Sequence, residues 1–474
     1  MVKQGMKKIL FGFKIVLKYV FPVFLLYIVL SMVLVPLYHK RVKDTSRLNN
    51  KASLTRTKMS TERVLNIEDN VEALKWRLRL IEEAENDIIM STFDFRDDDA
   101  GRDIMSALLN ASDRGVNVKL IIDGINGMLY LKGSDNFETL CSRNNVEVKL
   151  YNPINLLKPW EINYRMHDKY LIADDQVYML GGRNTNNLFL GNYQDYINID
   201  RDIVVYEKEG IEDSSIYELK RYFSDIWNLK QSKPIFKNPK YNQDADKFLK
   251  DNYVKLREVY SDAFSEVDWE NITMPCESIT LLSNSVKVEN KEPELWETAN
   301  GLMLEYKDVL VQTPYIICSK DMYAGLKKAS DNGTDVSIII NAVESGANPW
   351  GCTDYMNQKN KVINTGSDVY ELLGSDSSHT KTILYDDSLS LVGSYNLDMR
   401  STYLDTELML AIESKELNES LRKIAKNDIS YSRGFSKENG DIIGENYKPV
   451  EVGTGKKIFY GVLRLIIPFI RQTL

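Results

Sequence analysis

Three histidines occur in this chain, and two of them open one pattern. His167-Asp168-Lys169 runs on to Asp174, and His379-Thr380-Lys381 runs on to Asp386, so that both read His-x-Lys-x4-Asp. With charged residues at about 25% of a chain and split over four types, a histidine meets that pattern by chance roughly once in 250, and two do so roughly once in 60,000. The likeness continues past the aspartates, where Gly181-Gly182-Arg183-Asn184 matches Gly393-Ser394-Tyr395-Asn396. Histidine titrates near neutrality, so it can attack as a nucleophile or deliver a proton. Lysine and asparagine supply N–H donors for anionic oxygens. Each supplied twice, these are the groups that phosphodiester cleavage through a covalent intermediate requires. Histidines merely packed in core strands would leave the paired lysines and asparagines without a purpose. The sequence is that of an enzyme.

The flanks repeat as well. Ala111-Ser112-Asp113-Arg114-Gly115, then Val118 and Ile121-Ile122, recurs as Ala329-Ser330-Asp331-Asn332-Gly333, Val336 and Ile339-Ile340. In each copy a helix (Arg102 to Ser112, Tyr323 to Ser330) ends at a glycine suited to a C-terminal cap. A β-branched run then reads as a strand buried on both faces of an α/β sheet (Val118 to Ile122, Val336 to Ile340). After each histidine the spacing predicts a hairpin with Asp-Asp at its turn. Its first strand puts histidine and lysine on one face, and its second (Val177 to Leu180, Leu389 to Val392) enters the glycine. Two such halves facing each other bring both motifs to one cleft.

At these residues the chain resembles the phospholipase D superfamily, whose signature is a pair of His-x-Lys-x4-Asp motifs. Within it the similarity is greatest to bacterial cardiolipin synthases of the C type. The residues that carry it are Arg165-Met166-His167-Asp168-Lys169, Gly181 to Asn184 and Ser394-Tyr395-Asn396-Leu397-Asp398-Met399-Arg400-Ser401, with Ala111 to Asp123 and Thr313-Pro314-Tyr315 in support. The resemblance spans roughly residues 60–230 and 300–474. It implies an α/β fold of two phospholipase D-like repeats with pseudo-twofold symmetry and one active site at their interface. It also implies His167 as nucleophile and His379 as general acid, an assignment that the residues alone leave open. Lys169, Lys381, Asn184 and Asn396 are then expected on the non-bridging oxygens, with Arg183 either a phosphate contact or an ordinary hairpin charge. Glu407 lies 28 residues after His379, and Asp202 is expected at the matching place in the first repeat. A carboxylate at each position would hold the neighbouring ring in one tautomer. Asp174 and Asp386 complete the catalytic motifs and read as turn residues pairing with backbone. No metal-ligand cluster is visible, and this chemistry needs neither metal nor cofactor.

The organisation that follows is an N-terminal membrane anchor (1–40), repeat 1 (55–230), a Lys-, Asn- and Asp-rich linker or insertion (231–300), repeat 2 (301–455) and a basic amphipathic tail (456–474). Tyr19 to Tyr38 is twenty residues without a charge. As a helix it would run about 30 Å, enough to cross a bilayer once. No small-x-small site follows, which disfavours a cleavable signal peptide. Lysines and arginines flank the segment on both sides, so the positive-inside rule gives no orientation. The tail mixes Lys456, Lys457, Arg464 and Arg471 with Phe459, Leu463, Leu465, Ile466, Ile467, Phe469 and Ile470. It suits either the headgroup region of an anionic membrane or a helix docked on the protein. Cys141, Cys276, Cys318 and Cys352 lack pair or metal spacing and read as isolated core thiols.

Three activities fit these residues. The first is a cell-membrane phosphatidyltransferase making cardiolipin from phosphatidylglycerol and a second phospholipid, phosphatidylethanolamine being an alternative donor, through a phosphohistidine. The second is a phospholipase D that gives phosphatidic acid because water is the acceptor. The third, a nuclease, is opposed by the apolar N-terminal segment and by a net charge of −8, so no nucleic-acid partner is expected. Nothing in the sequence sets an oligomeric state.

Overall fold

The computed structural model describes residues 18–19, 21–34, 42, 48–54, 60–211, 214–289, 291–436 and 440–474. Two nine-stranded sheets dominate it, and seven strands run in the same order in each. In the first sheet these are Asp202–Glu207, Val177–Gly181, Tyr170–Ala173, Asp87–Thr92, Asn117–Asp123, Val146–Tyr151 and Ser232–Pro234. In the second they are Leu408–Glu413, Leu389–Gly393, Thr382–Tyr385, Asp308–Gln312, Asp335–Asn341, Asp368–Leu372 and Ser432–Ser436. The three central strands of each sheet are parallel, and the histidine hairpin joins them antiparallel.

Local chemistry explains the repeated crossover. The preceding helices are Asp99–Asp113 and Lys320–Asp331, starting three residues before the expected positions because Asp98 and Ser319 accept backbone N–H bonds there. Both end where Gly115 (φ 99°) and Gly333 (φ 91°) turn the chain left-handed into the buried strand. Both hairpin strands are wholly buried rather than alternating. The reason is that Tyr170, Ile172, Tyr178 and Leu180 belong to a core shared with the second repeat, while Leu171, Ala173 and Met179 face helices on the other side.

Segment 231–300 is woven into both repeats. Met274–Pro275 extends the first sheet, Ser278–Ser283 pairs with Leu408–Glu413 of the second, and helix Gln243–Val259 packs on helix Asp99–Asp113. The tail forms helix Thr454–Ile470, which buries Tyr460, Leu463 and Ile467 against helix Pro349–Ile363 and leaves its opposite face bare. At the other end lies helix Phe21–Leu34, 14 residues and so about 21 Å long. No helix among the described residues is long and apolar enough to cross a membrane. Residues 20 and 35–38 of the expected span, and the basic residues before Lys18, lie outside the described residues. All four cysteines are free and buried.

The aspartates that close the motifs sit at the hairpin turns with positive φ, 53° at Asp174 and 41° at Asp386. Asp174 accepts the backbone N–H groups of Glu85, Asn86 and Asp87 at 2.8–2.9 Å. Asp386 accepts those of Lys307 and Asp308 at 3.0 and 2.9 Å. Each therefore ties the hairpin carrying its histidine to the start of the neighbouring parallel strand. Asp174→Ala strands three donors and leaves a strained turn, so it should cost about 2–3 kcal/mol in urea unfolding. A loss below about 0.5 kcal/mol, the range of ordinary surface substitutions, would refute that role.

Candidate active site

The two motifs meet across the repeat boundary by a reciprocal exchange. The backbone N–H of His167 donates to the Thr406 carbonyl at 3.2 Å, and that of His379 donates to the Ile199 carbonyl at 2.6 Å. The residue after each carbonyl is an acid that meets the same histidine's ring. Glu407 Oε1 lies 2.9 Å from His167 Nδ1, and Asp200 Oδ2 lies 2.6 Å from His379 Nδ1. With Nδ1 engaged, each ring keeps Nε2 for chemistry. Phe93 and Phe189 stand edge-on to the two rings, at centroid distances of 5.0 and 4.9 Å.

The lysines follow the same symmetry. Lys169 donates to the His167 carbonyl (2.6 Å), and Lys381 donates to the His379 carbonyl and also reaches Asp200 Oδ2 at 3.3 Å. Asn184 and Asn396 are buried, and their side-chain oxygens have no partner among the described residues. A buried amide oxygen without a partner is an acceptor open to a donor, and the NH2 group of the same side chain can donate to an anionic oxygen.

Two of the expected roles are corrected. Asp202 does not touch a histidine: its Oδ2 accepts Arg77 at 2.9 Å and Arg183 at 3.2 Å, all three side chains being buried. Strand register gives the reason. Gly181 pairs with Asp202, whereas Gly393 pairs with Met409, so the counterpart of Glu407 is Asp200, two residues earlier. Arg183 is likewise no phosphate contact, because its guanidinium also bonds the Ile67 and Glu68 carbonyls and Asn70. It is a structural clamp on the first repeat.

The two acids are held differently. Gly182 lets Asp200 approach its backbone: a Cβ there would lie 2.4 Å from the carboxylate. Ser394, the corresponding residue of the second motif, carries a hydroxyl that bonds Glu407, as does Ser401 at 2.6 Å. Burial would raise Asp200, but Lys381 and His379 outweigh it and hold the carboxyl far below its usual range. Glu407 is pushed up to about 8 by burial, against the opposing pull of Lys169 and the serines.

Burial is also the largest influence on the bases. Together with Lys381 it takes His379 down to about 3, and with Lys169 and Lys381 it takes His167 well below the imidazole range. Lys169 falls to about 7. The site thus holds neutral imidazoles, and a phosphodiester anion beside them favours their protonated forms.

A further shell lies behind His167. Asp168 accepts Tyr222 Oη (2.7 Å) and Thr406 Oγ1 (2.9 Å), and Arg165 bonds Asp123 at 2.8 Å. Lys291, from segment 231–300, is buried here and lowered to about 8 by that burial, with Asp405, Asp168 and Glu407 opposing the fall. Asp200, the two serines and Lys291 were not singled out in the sequence. Ser394 and Ser401 stand at the ends of the quoted run Ser394 to Ser401, whereas recognising Asp200 needs the strand register that pairs Gly181 with Asp202.

The family described as "Cardiolipin synthase, PLD-like domain" matches residues 78–227 and 305–429, which hold both motifs. Cardiolipin synthase C of Escherichia coli K12 is 26% identical over 406 residues, 75% of this chain and 82% of that protein. A cardiolipin synthase of Clostridium perfringens strain 13 is 27% identical over 358 residues, covering 72% and 65%. Among solved structures, phosphatidylserine synthase of Haemophilus influenzae Rd KW20 shares the fold, with a TM-score of 0.60 at 16% identity, covering 87% of this chain and 95% of that one.

Asp200→Asn should lower kcat by about a thousandfold with the fold intact, as expected when a histidine loses its orienting acid. Asp202→Asn should instead cost about 3 kcal/mol of stability by leaving two buried arginines underpaired. The reverse pattern would return the orienting role to Asp202. Because burial depresses the site's bases, binding of tungstate at pH 7 should take up protons. Calorimetry in buffers of different ionisation enthalpy reads that uptake, and proton release would contradict the neutral imidazoles.

Proposed function

The chain belongs to the cardiolipin synthase family of phospholipase D-like domains and is a phosphatidyltransferase-type enzyme; we propose that it makes cardiolipin at the membrane from phosphatidylglycerol and a second phospholipid. The observation that carries this reading is the reciprocal site: two imidazoles, each held at Nδ1 by an acid of the other repeat, with two buried lysines and two buried asparagines whose amide oxygens have no partner among the described residues.

In the first step His167 Nε2 attacks phosphorus, the bond from phosphorus to the headgroup oxygen breaks, and protonated His379 gives that oxygen its proton. Glycerol leaves when the donor is phosphatidylglycerol, and ethanolamine when it is phosphatidylethanolamine. In the second step His379 takes the proton of the acceptor's glycerol hydroxyl. The resulting P–O bond displaces His167 and forms cardiolipin. Glu407 stabilises the imidazolium character that His167 gains on bonding to phosphorus. Lys169, Lys381, Asn184 and Asn396 receive the non-bridging oxygens as charge builds on them. The apolar segment Tyr19 to Tyr38 serves as a single-pass anchor that keeps the site beside its substrates.

Purified protein supplied with labelled phosphatidylglycerol, with and without phosphatidylethanolamine, tests the reading by its products. Cardiolipin that disappears in His167→Ala supports it. Phosphatidic acid alone makes water the acceptor and the enzyme a hydrolase. His379→Ala should slow turnover about 10²- to 10⁴-fold with an alkyl leaving group and far less with a p-nitrophenyl ester, which leaves without a proton. Equal losses on both substrates would deny His379 the acid's role.

A further inference from the structure

The C-terminal helix has two apolar faces, and only one is covered. At roughly 100° per residue, Tyr460, Leu463 and Ile467 line the face docked on helix Pro349–Ile363. Ile458, Phe459, Val462, Leu465, Ile466 and Phe469 line the opposite face, between 45% and 75% exposed. The docking is firm. Arg471 bonds Asp354 (2.7 Å) and the Cys318 carbonyl (2.6 Å), and Arg464 bonds Asn357 (2.9 Å). Pro468 removes the donor that would have satisfied the Arg464 carbonyl, and Asn357 supplies one instead at 3.1 Å. The bare face is therefore fixed in place on a rigid helix.

A second bare apolar element lies nearby. In the loop after strand Val146–Tyr151, Ile154, Leu156 and Leu157 are 45%, 59% and 82% exposed. Helix Phe21–Leu34 lies against the turn that follows, and Tyr27 Oη donates to the Leu157 carbonyl at 3.4 Å. Arg400 joins this region to the end of the C-terminal helix: it donates to the Asn163 carbonyl (3.0 Å) and to the Thr473 carbonyl (2.9 Å). Asn163 precedes His167 by four residues, and Arg400 follows Asn396 by four, so Arg400 ties this region to the short segments that lead to both motifs.

We propose that the bare face of helix Thr454–Ile470 and the loop Ile154–Leu157 form one docking surface for an anionic phospholipid bilayer, which holds the catalytic strands at the lipid headgroups. This rests on the lipid-substrate reading above. Two observations select a bilayer over a protein partner. The surface is continuous with helix Phe21–Leu34, whose Phe21, Val23, Leu25, Leu26, Val29 and Leu30 are 44–68% exposed, so the apolar area extends well beyond what one protein helix would cover. The chain as a whole carries −8, yet residues 454–474 contain no acidic residue and expose Lys457 and Arg464 beside the apolar stripe. That pairing of apolar face and basic flank is complementary to anionic headgroups.

The test uses the full-length chain reconstituted in nanodiscs containing phosphatidylglycerol. Because the four native cysteines are buried, Leu465→Cys and Leu157→Cys can be labelled selectively with a fluorophore, with Val254→Cys, exposed on the outer helix Gln243–Val259, as control. Nitroxide-bearing lipids should quench the labels at 465 and 157 several-fold more than the label at 254. Quenching no stronger than the control overturns the proposal, as does a shielded label that lipid does not quench, which would assign the face to a second copy or another protein. In parallel, Leu465→Ser with Phe469→Ser should lower turnover of bilayer phosphatidylglycerol about tenfold and leave turnover of monomeric short-chain phosphatidylglycerol unchanged. Equal loss on both substrates contradicts a docking role. Absence of turnover on either substrate by the unaltered protein would instead sink the lipid-substrate reading, while the quenching would still decide the surface.

Discussion

Everything in this molecule turns on the exchange of two dipeptides between its halves. Thr406-Glu407 of the second repeat receives the backbone and ring of His167, and Ile199-Asp200 of the first receives those of His379. Neither repeat has a complete site without the other. Bringing two imidazoles and two acids out of water is tolerable because each ring finds its acid across the boundary. Arg201 strengthens the same seam, reaching from the first repeat to Gln312 (3.0 Å) and Thr382 (2.6 Å) of the second.

Within that symmetry the halves have diverged. One histidine is steadied by an ionised aspartate that shares a lysine; the other is steadied by a glutamate kept in place by two serine hydroxyls and lifted toward neutrality by burial. Two chemically distinct environments around identical rings suit a reaction in which one ring bonds to phosphorus while the other moves a proton.

Much of this was legible in the sequence for a physical reason: chemistry fixes residue types and backbone geometry fixes short spacings. The histidines, lysines, asparagines, Glu407 and the turn aspartates all lie within or just beyond a hairpin, where register is set locally. Asp200 escaped because a longer loop separates Gly181 from its strand, and choosing between Asp200 and Asp202 needs the pairing partner of Gly181. The burial of Arg183 was hidden for a related reason, since its partners, residues 67–70, lie more than a hundred positions away. Segment 231–300 looked like filler because its polar composition conceals two short strands of the first sheet, one strand of the second and a single buried lysine. The tail, for which the sequence allowed membrane or protein, docks one face on the protein and leaves the other exposed.

The exchanged dipeptides also have a consequence for the order in which the protein comes into being. Strands 62–67, 87–92, 117–123, 146–151, 170–173, 177–181 and 202–207 all belong to the first sheet and are synthesised before the second repeat begins. A domain of that kind can fold as the chain emerges. Its histidine, however, waits for an acid made 240 residues later. In a ribosome-bound or prematurely terminated chain that acid is missing, and the ring of His167 has no partner for Nδ1. The paired site can form only after residue 407 has been made.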